Sequence, residues 1–169
     1  MADFKHIQPE ELTQSPFQLI GKDWMLITAE KEGKANTMTA SWGGFGVMWG
    51  KNVVFTVIRP QRFTKEFVDG ADTFSLSFFN EEYRKQLSYL GKVSGRDEDK
   101  ITKAGLTLLH EQNTPYFGEA KLVVVCKKLF AQPYLPEHFS ETEILGRCYP
   151  NADYHTLYIS EVLDILVQE

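Results

Sequence analysis

The chain has 169 residues, 43% hydrophobic and 24% charged, proportions that suit one soluble globular domain with a sizeable core. A formal net charge of -5 argues against binding nucleic acid through a basic face. No run approaches the roughly 18 to 20 apolar residues of a membrane-spanning helix, and aromatics, at 13%, are numerous enough to line a site for a flat ligand.

The opening stretch MADFKHIQPEEL carries neither an apolar signal core nor an Arg-rich transit pattern, so the expected location is the cytoplasm. A first strand is predicted over residues 24–30 (WMLITAE). The turn-like KEGK then returns the chain into a second strand from Asn36, a hairpin. Within NTMTASWGGFGVMW (36–49), alternation sets Asn36, Met38, Ala40 and Trp42 on one face and Thr37, Thr39 and Ser41 on the other. Such a strand either faces water or offers hydrogen bonds to something flat and charged. Further strands are predicted over 52–59 (NVVFTVIR), 73–79 (TFSLSFF), 120–134 (AKLVVVCKKLFAQPY) and 155–168 (HTLYISEVLDILVQ).

Three short helices fall between them. PQRFTKEFVDG opens with Pro60 and closes on Gly70. EEYRKQLSYLGKVSG sets Tyr83, Leu87 and Leu90 near one face, and DEDKITKAG begins with acids and stops at Gly105. With no repeat, linker or low-complexity tract, residues 1–169 read as a single domain. Strands without long intervening helices predict a mainly β, antiparallel barrel with short helical insertions, whose closure would remove exposed sheet edges.

Two segments carry candidate chemistry. In VIRPQRFTKEF (57–67), Arg59 ends a strand, and Arg62 and Thr64 fall at a helix start. Free backbone N–H groups beside two guanidiniums make a phosphate seat. The alternative is that both arginines pair with surface carboxylates and Thr64 caps the helix. In VSGRDEDK (93–100), Arg96 and Lys100 add positive charge and Ser94 and Gly95 offer backbone N–H groups, or the segment is a solvated helix cap. The glycine and distal glutamate of a calcium loop are missing from their places.

His6, His110, His138 and His155 have no metal-binding spacing, and Cys126 and Cys148 have no zinc or dithiol spacing. Cys126, inside LVVVCKKL, is expected to be a buried reduced thiol. There is no nucleophile elbow, Walker loop, dinucleotide fingerprint or acid–base dyad. His155, Leu157, Ile159 and Glu161 share one strand face.

Taken together, N-x-M-T-A-S-W-G-G, R-P-x-R-x-T and S-G-R-D-x-D-K, in this order and spacing, resemble the flavin reductase-like family, most closely its flavoredoxin branch. The likeness covers most of the chain and is densest from Asn36 to Lys100. It implies an FMN-binding split β-barrel with Greek-key connections, and a homodimer with one FMN per subunit at or near the interface. It further implies that Asn36, Met38, Thr39, Ser41 and Trp42 contact the flavin or its ribityl chain. Arg59, Arg62, Thr64 and Lys100 would surround the phosphate and the polar edge of the ring. His138, in PYLPEHF, corresponds loosely to a flavin-neighbouring histidine. Lys100 is expected to stabilise negative charge on the reduced ring.

The implied activity is hydride acceptance from NADH or NADPH onto FMN, with electrons passed to a flavin or protein acceptor. The alternative is an electron carrier whose tightly held FMN is reduced by a redox partner protein. Members that reduce diffusing flavin often carry D-H-x-x-x-x-G-E-V near the C-terminus. Here the segment is YHTLYISEV, with Tyr154 for the Asp and Ser160 for the Gly, which leaves the nicotinamide-side role of His155 open.

Overall fold

The computed structural model describes residues 3–169, which hold ten strands and five short α-helical segments. The strands are β1 (Phe4–Ile7), β2 (Met25–Lys31), β3 (Lys34–Ala40), β4 (Gly43–Met48), β5 (Lys51–Ile58), β6 (Thr73–Phe78), β7 (Leu108–Glu111), β8 (Thr114–Phe117), β9 (Leu122–Pro133) and β10 (Thr156–Gln168). The helices are α1 (Pro16–Gln18), α2 (Phe63–Gly70), α3 (Arg84–Lys92), α4 (Lys100–Ala104) and α5 (Glu143–Cys148).

The main sheet runs β3-β2-β6-β9-β10-β5-β4, with β1 added beside β10 and every pairing antiparallel. β3 and β4 lie at opposite ends of this order, yet only Ser41 and Trp42 separate them in the chain. Two residues span at most about 10 Å from Ala40 to Gly43, so the sheet has to curl until its ends meet. The ends stay unpaired, and the barrel is therefore split along the seam between β3 and β4. Full closure, which the strand pattern alone suggests, does not occur, and the open sheet agrees with the split barrel that the resemblance implies. Helices α2 and α3 pack against β3 instead, covering that edge.

Two apolar cores lie on the two faces of the sheet, and β9 shows why its first half is apolar throughout. Leu122, Val124 and Cys126 point into the barrel with Met25, Ile27, Phe74 and Phe78. Val123 and Val125 point outward under Leu87, Leu90 and Phe117. Burying each such side chain contributes about 1.5–3 kcal/mol. Cys126 is fully buried and its thiol is pushed well up by that burial, as the sequence suggested.

Local signals account for most boundaries. The β2–β3 hairpin turns at Glu32 and Gly33, both at positive φ (52° and 73°). Asp99 caps α4 through the Thr102 N–H, and Gly105 ends it in the left-handed conformation. β4 is a strand the glycine pair concealed. Gly43 has φ 143°, and a Cβ there would stand 2.3 Å from the Phe55 carbonyl oxygen, so glycine marks a close approach to β5.

Candidate functional site

The ribbon from Met38 to Trp42 crosses the split, and the turn after β5 rises beside it. A cavity of about 170 Å³ lies between them, lined by Met38, Thr39, Ser41, Trp42, Arg59 and Arg62. A second, of about 130 Å³, adjoins at Arg62 and is lined by Asn36, Thr64, Ser94, Gly95 and Lys100. Beyond it a wider groove of about 840 Å³ shares Asn36, Gly95 and Lys100. The sequence-predicted residues are thus brought together, with His138 the exception. That residue ends an exposed turn at Pro136–His138 and lines none of these hollows.

The three hydroxyls of the ribbon have separate fates. Thr37 is fully buried, bonding Thr28 Oγ1 at 2.9 Å and donating to the Ile27 carbonyl at 3.1 Å. Thr39 donates to the Leu87 carbonyl at 2.5 Å, tying β3 to α3. Ser41 has no side-chain partner among the described residues, and it lines the cavity. One hydroxyl is fully free for a ligand, where the alternating pattern suggested three.

The two arginines divide the two sequence readings between them. Arg59 pairs with Asp153 at 2.9 Å, donates to the Cys148 carbonyl at 2.9 Å and lies 5.0 Å over the Tyr149 ring. Its guanidinium borders the cavity, but its bonds hold the loop after α5. Arg62 engages no carboxylate, carbonyl or ring among the described residues, although it is half-buried. Burial and the neighbouring Arg59 both push its pKa down, without threatening its charge. Arg62 is the N-cap residue of α2 and makes no side-chain cap bond, so the helix start presents its N–H groups beside a free guanidinium. Such an arrangement has the charge and the N–H donors to receive an anion.

Thr64 does not cap the helix. It is 1% exposed and accepts a 2.8 Å bond from Asn36 Nδ2, which fixes α2 to β3. Opposite, Gly95 leaves a gap that nothing larger permits, since a Cβ there would lie 2.1 Å from Asn36 Oδ1. Arg96 is committed elsewhere, to Glu66 and the Gln61 carbonyl.

Lys100 is 3% exposed, and Nζ donates at 2.9 Å to the carbonyls of both Leu90 and Val93. It therefore braces the end of α3 and the loop carrying Ser94 and Gly95. Burial, helped by Arg62, pushes its pKa down to about 8. A separate cavity of about 270 Å³ lined by Leu12, Phe45, Val54 and Ile165 has no lysine or arginine in its wall, which sets it apart from the cleft at Arg62.

His155, whose nicotinamide-side role the sequence leaves open, lines the first cavity with its ring 5.1 Å from Trp42. Its partner, Tyr149, lies six residues upstream across an irregular loop, a pairing no linear pattern announces. Burial, then Arg59, pushes the imidazole pKa from 6.5 down to about 4. As pH falls through that window the unfolded chain takes up a proton the folded one refuses, so folding stability declines from pH 6.5 toward 4. The expected loss from this group is about 2–3 kcal/mol. Urea unfolding at pH 7, 6 and 5 should show a slope that His155→Gln flattens, and an unchanged slope in the variant contradicts the assignment.

The flavin reductase like domain family matches residues 18–169. No curated protein matches the sequence. Among solved structures, the chain is similar to the FMN-binding domain of a flavin reductases-like enzyme from Shewanella baltica OS155, with TM-score 0.72 and 16% identity over 99% of this chain and 78% of that one. Flavoredoxin from Methanosarcina acetivorans gives TM-score 0.70 and 19% identity over 87% and 69%. The flavin reductase of the styrene monooxygenase from Pseudomonas putida S12 gives 0.65 and 17% over 89% and 82%. At these identities the likeness is one of fold.

Proposed function

The chain belongs to the flavin reductase-like family, and from that premise we propose that it binds FMN in the seam cleft and works as an NAD(P)H-dependent oxidoreductase. Bound there, FMN would supply hydride acceptance and onward electron transfer to a flavin or a protein. The observation that carries this reading is the unpartnered Arg62 guanidinium at the start of α2, facing two adjoining cavities.

Arg62 and the α2 N–H groups would hold the phosphate, and Ser41 would bond the hydroxylated chain or the ring edge. Met38 and Trp42 supply apolar walls. Asn36, Thr64 and Gly95 keep the second cavity open, and Lys100 braces its rim. Arg59 contributes field and fixes the far wall. The absorption spectrum of the purified chain, alone and with added FMN, tests the cofactor. Flavin bands that co-elute with the protein support it, and a colourless chain that takes up no FMN contradicts it.

A second reading is favoured by the substitutions near the C-terminus. Tyr154, where family members that reduce diffusing flavin often carry Asp, stacks 5.1 Å from Tyr149, and Ser160 lies fully buried at a register shift between β10 and β9. A segment with an aromatic ring where a carboxylate often stands suits an electron carrier reduced by a partner protein. Stopped-flow mixing with NADH and with NADPH separates the two. Rapid bleaching of the flavin supports the oxidoreductase, and bleaching only with a donor protein supports the carrier.

We infer a homodimer as well, a reading supported by an exposed apolar surface. Val47, Met48 and Trp49 at the open edge of β4 are exposed, as are Leu129 and Phe130 on β9, and the Trp49 and Phe130 rings lie 6.2 Å apart. An unpaired edge strand with apolar side chains is a surface for a second copy. Trp49→Asp should convert the dimer to monomer in sedimentation velocity at micromolar concentration. A wild type that is already monomeric excludes the dimer.

A further inference from the structure

Tyr149 and His155 meet across the loop after α5, with the phenol oxygen 2.7 Å from Nδ1. Both are nearly sealed, at 5% and 7% exposed. The groups facing the imidazole are Trp42, Arg59 with its partner Asp153, and Arg62 across the cavity.

The position of the proton follows from the bonding. The phenol has no second partner among the described residues, and burial pushes its ionisation up, so it keeps its hydrogen. A buried hydroxyl hydrogen needs an acceptor, and the acceptor in reach is an unprotonated Nδ1. A neutral imidazole that accepts at Nδ1 carries its hydrogen on Nε2. Nε2 has no protein partner among the described residues and is not among the sealed polar atoms left without one, so it opens to the cavity its ring lines.

We propose that Tyr149 is a positioning residue that locks His155 in the Nε2–H tautomer and so makes the ring a neutral hydrogen-bond donor to a carbonyl oxygen or unprotonated ring nitrogen of a flat heterocycle in the cavity. Neutrality suits the place. Burial, then Arg59 and Arg62, oppose a third positive charge there and Asp153 only partly offsets them, so the pKa falls to about 4. A donor without net charge leaves phosphate recognition to Arg62 and grips a different part of the ligand. That the heterocycle is a flavin rests on the function proposed above; the tautomer does not.

Two-bond proton–nitrogen spectra of the full chain with nitrogen-15 histidine, from pH 5.5 to 8.5, test this. Signals of His155 are identified by their loss in His155→Gln. The wild type should show a protonated Nε2 and an unprotonated Nδ1 throughout. Tyr149→Phe keeps the ring packing and should raise the Nδ1–H fraction severalfold. A wild type in the Nδ1–H form, or a variant with unchanged tautomers, overturns the proposal, and the wild-type spectrum decides alone if the variant does not fold. These spectra need no flavin, so a chain that fails to bind FMN leaves the tautomer result standing. In a chain that does bind FMN, the Nε2 proton resonance should move downfield, and an unmoved resonance removes the donor role.

Discussion

Replacing Arg62 by alanine should weaken FMN binding by about 100-fold, the value of one charge-assisted bond at about 1.5–3 kcal/mol. The same change should leave stability almost untouched, or raise it. The Arg62 side chain makes no bond among the described residues, it is half-buried, and Arg59 lies near enough to depress its pKa. A side chain that adds repulsion to the empty fold and is repaid only by an anion marks a binding function. Arg62→Lys keeps the charge but loses the planar fork, so its affinity should fall between the two. Fluorescence titration gives the affinities and thermal unfolding gives the stability. A large loss of stability with little loss of affinity would reassign Arg62 to the scaffold.

Lys100→Met should cost about 2 kcal/mol of stability and about tenfold in FMN affinity. Its ammonium ties the carbonyls of Leu90 and Val93, and a thioether leaves one buried and one part-buried acceptor without that donor. Relief from burying a charge offsets part of the loss, which keeps the net figure modest. The pH dependence has a definite sign. The folded pKa, about 8, lies below the ordinary 10.5, so the unfolded chain binds the extra proton between these values and wild-type stability rises across that window. FMN affinity should move the other way. A bound dianion favours the charged lysine, so affinity falls as pH climbs above about 8, by at most tenfold per pH unit. The variant should show neither trend. Wild-type affinity that is level from pH 7 to 10 would detach Lys100 from the anion.

This assignment alters the role expected of Lys100. Sequence reasoning set it against the polar edge of the ring, whereas the fold turns its ammonium toward the backbone of the glycine-bearing loop. Any influence on a flavin passes through the position of Ser94 and Gly95 and through the charge itself.

What the linear pattern revealed, and what it hid, follows from distance along the chain. The ribbon and the arginine turn share a cavity because the two-residue link at Ser41 and Trp42 forces the sheet ends together, a constraint written in local sequence. Arg59 and Arg62 looked equivalent because the carboxylate that takes Arg59 is Asp153, far downstream. Thr37 and Ser41 looked equivalent because only the pairing of β3 with β2 and the docking of α3 decide which hydroxyl is sealed. β4 stayed hidden because its glycines serve a close strand contact and read locally as a break. The β7–β8 hairpin was missed as well, since its turn places Gln112 beside Asn113 at positive φ without a glycine. His155 lacked a readable partner because the phenol that orients it is brought there by the loop after α5.

The seam cleft as a seat for a phosphorylated flavin is tested most directly by titrating the chain with FMN and with riboflavin, which differ by the phosphate alone. FMN should bind about 100-fold more tightly or better, and Arg62→Ala should erase most of that difference. Equal affinity for the two flavins, or a preference for FMN that survives in Arg62→Ala, would contradict the site described here.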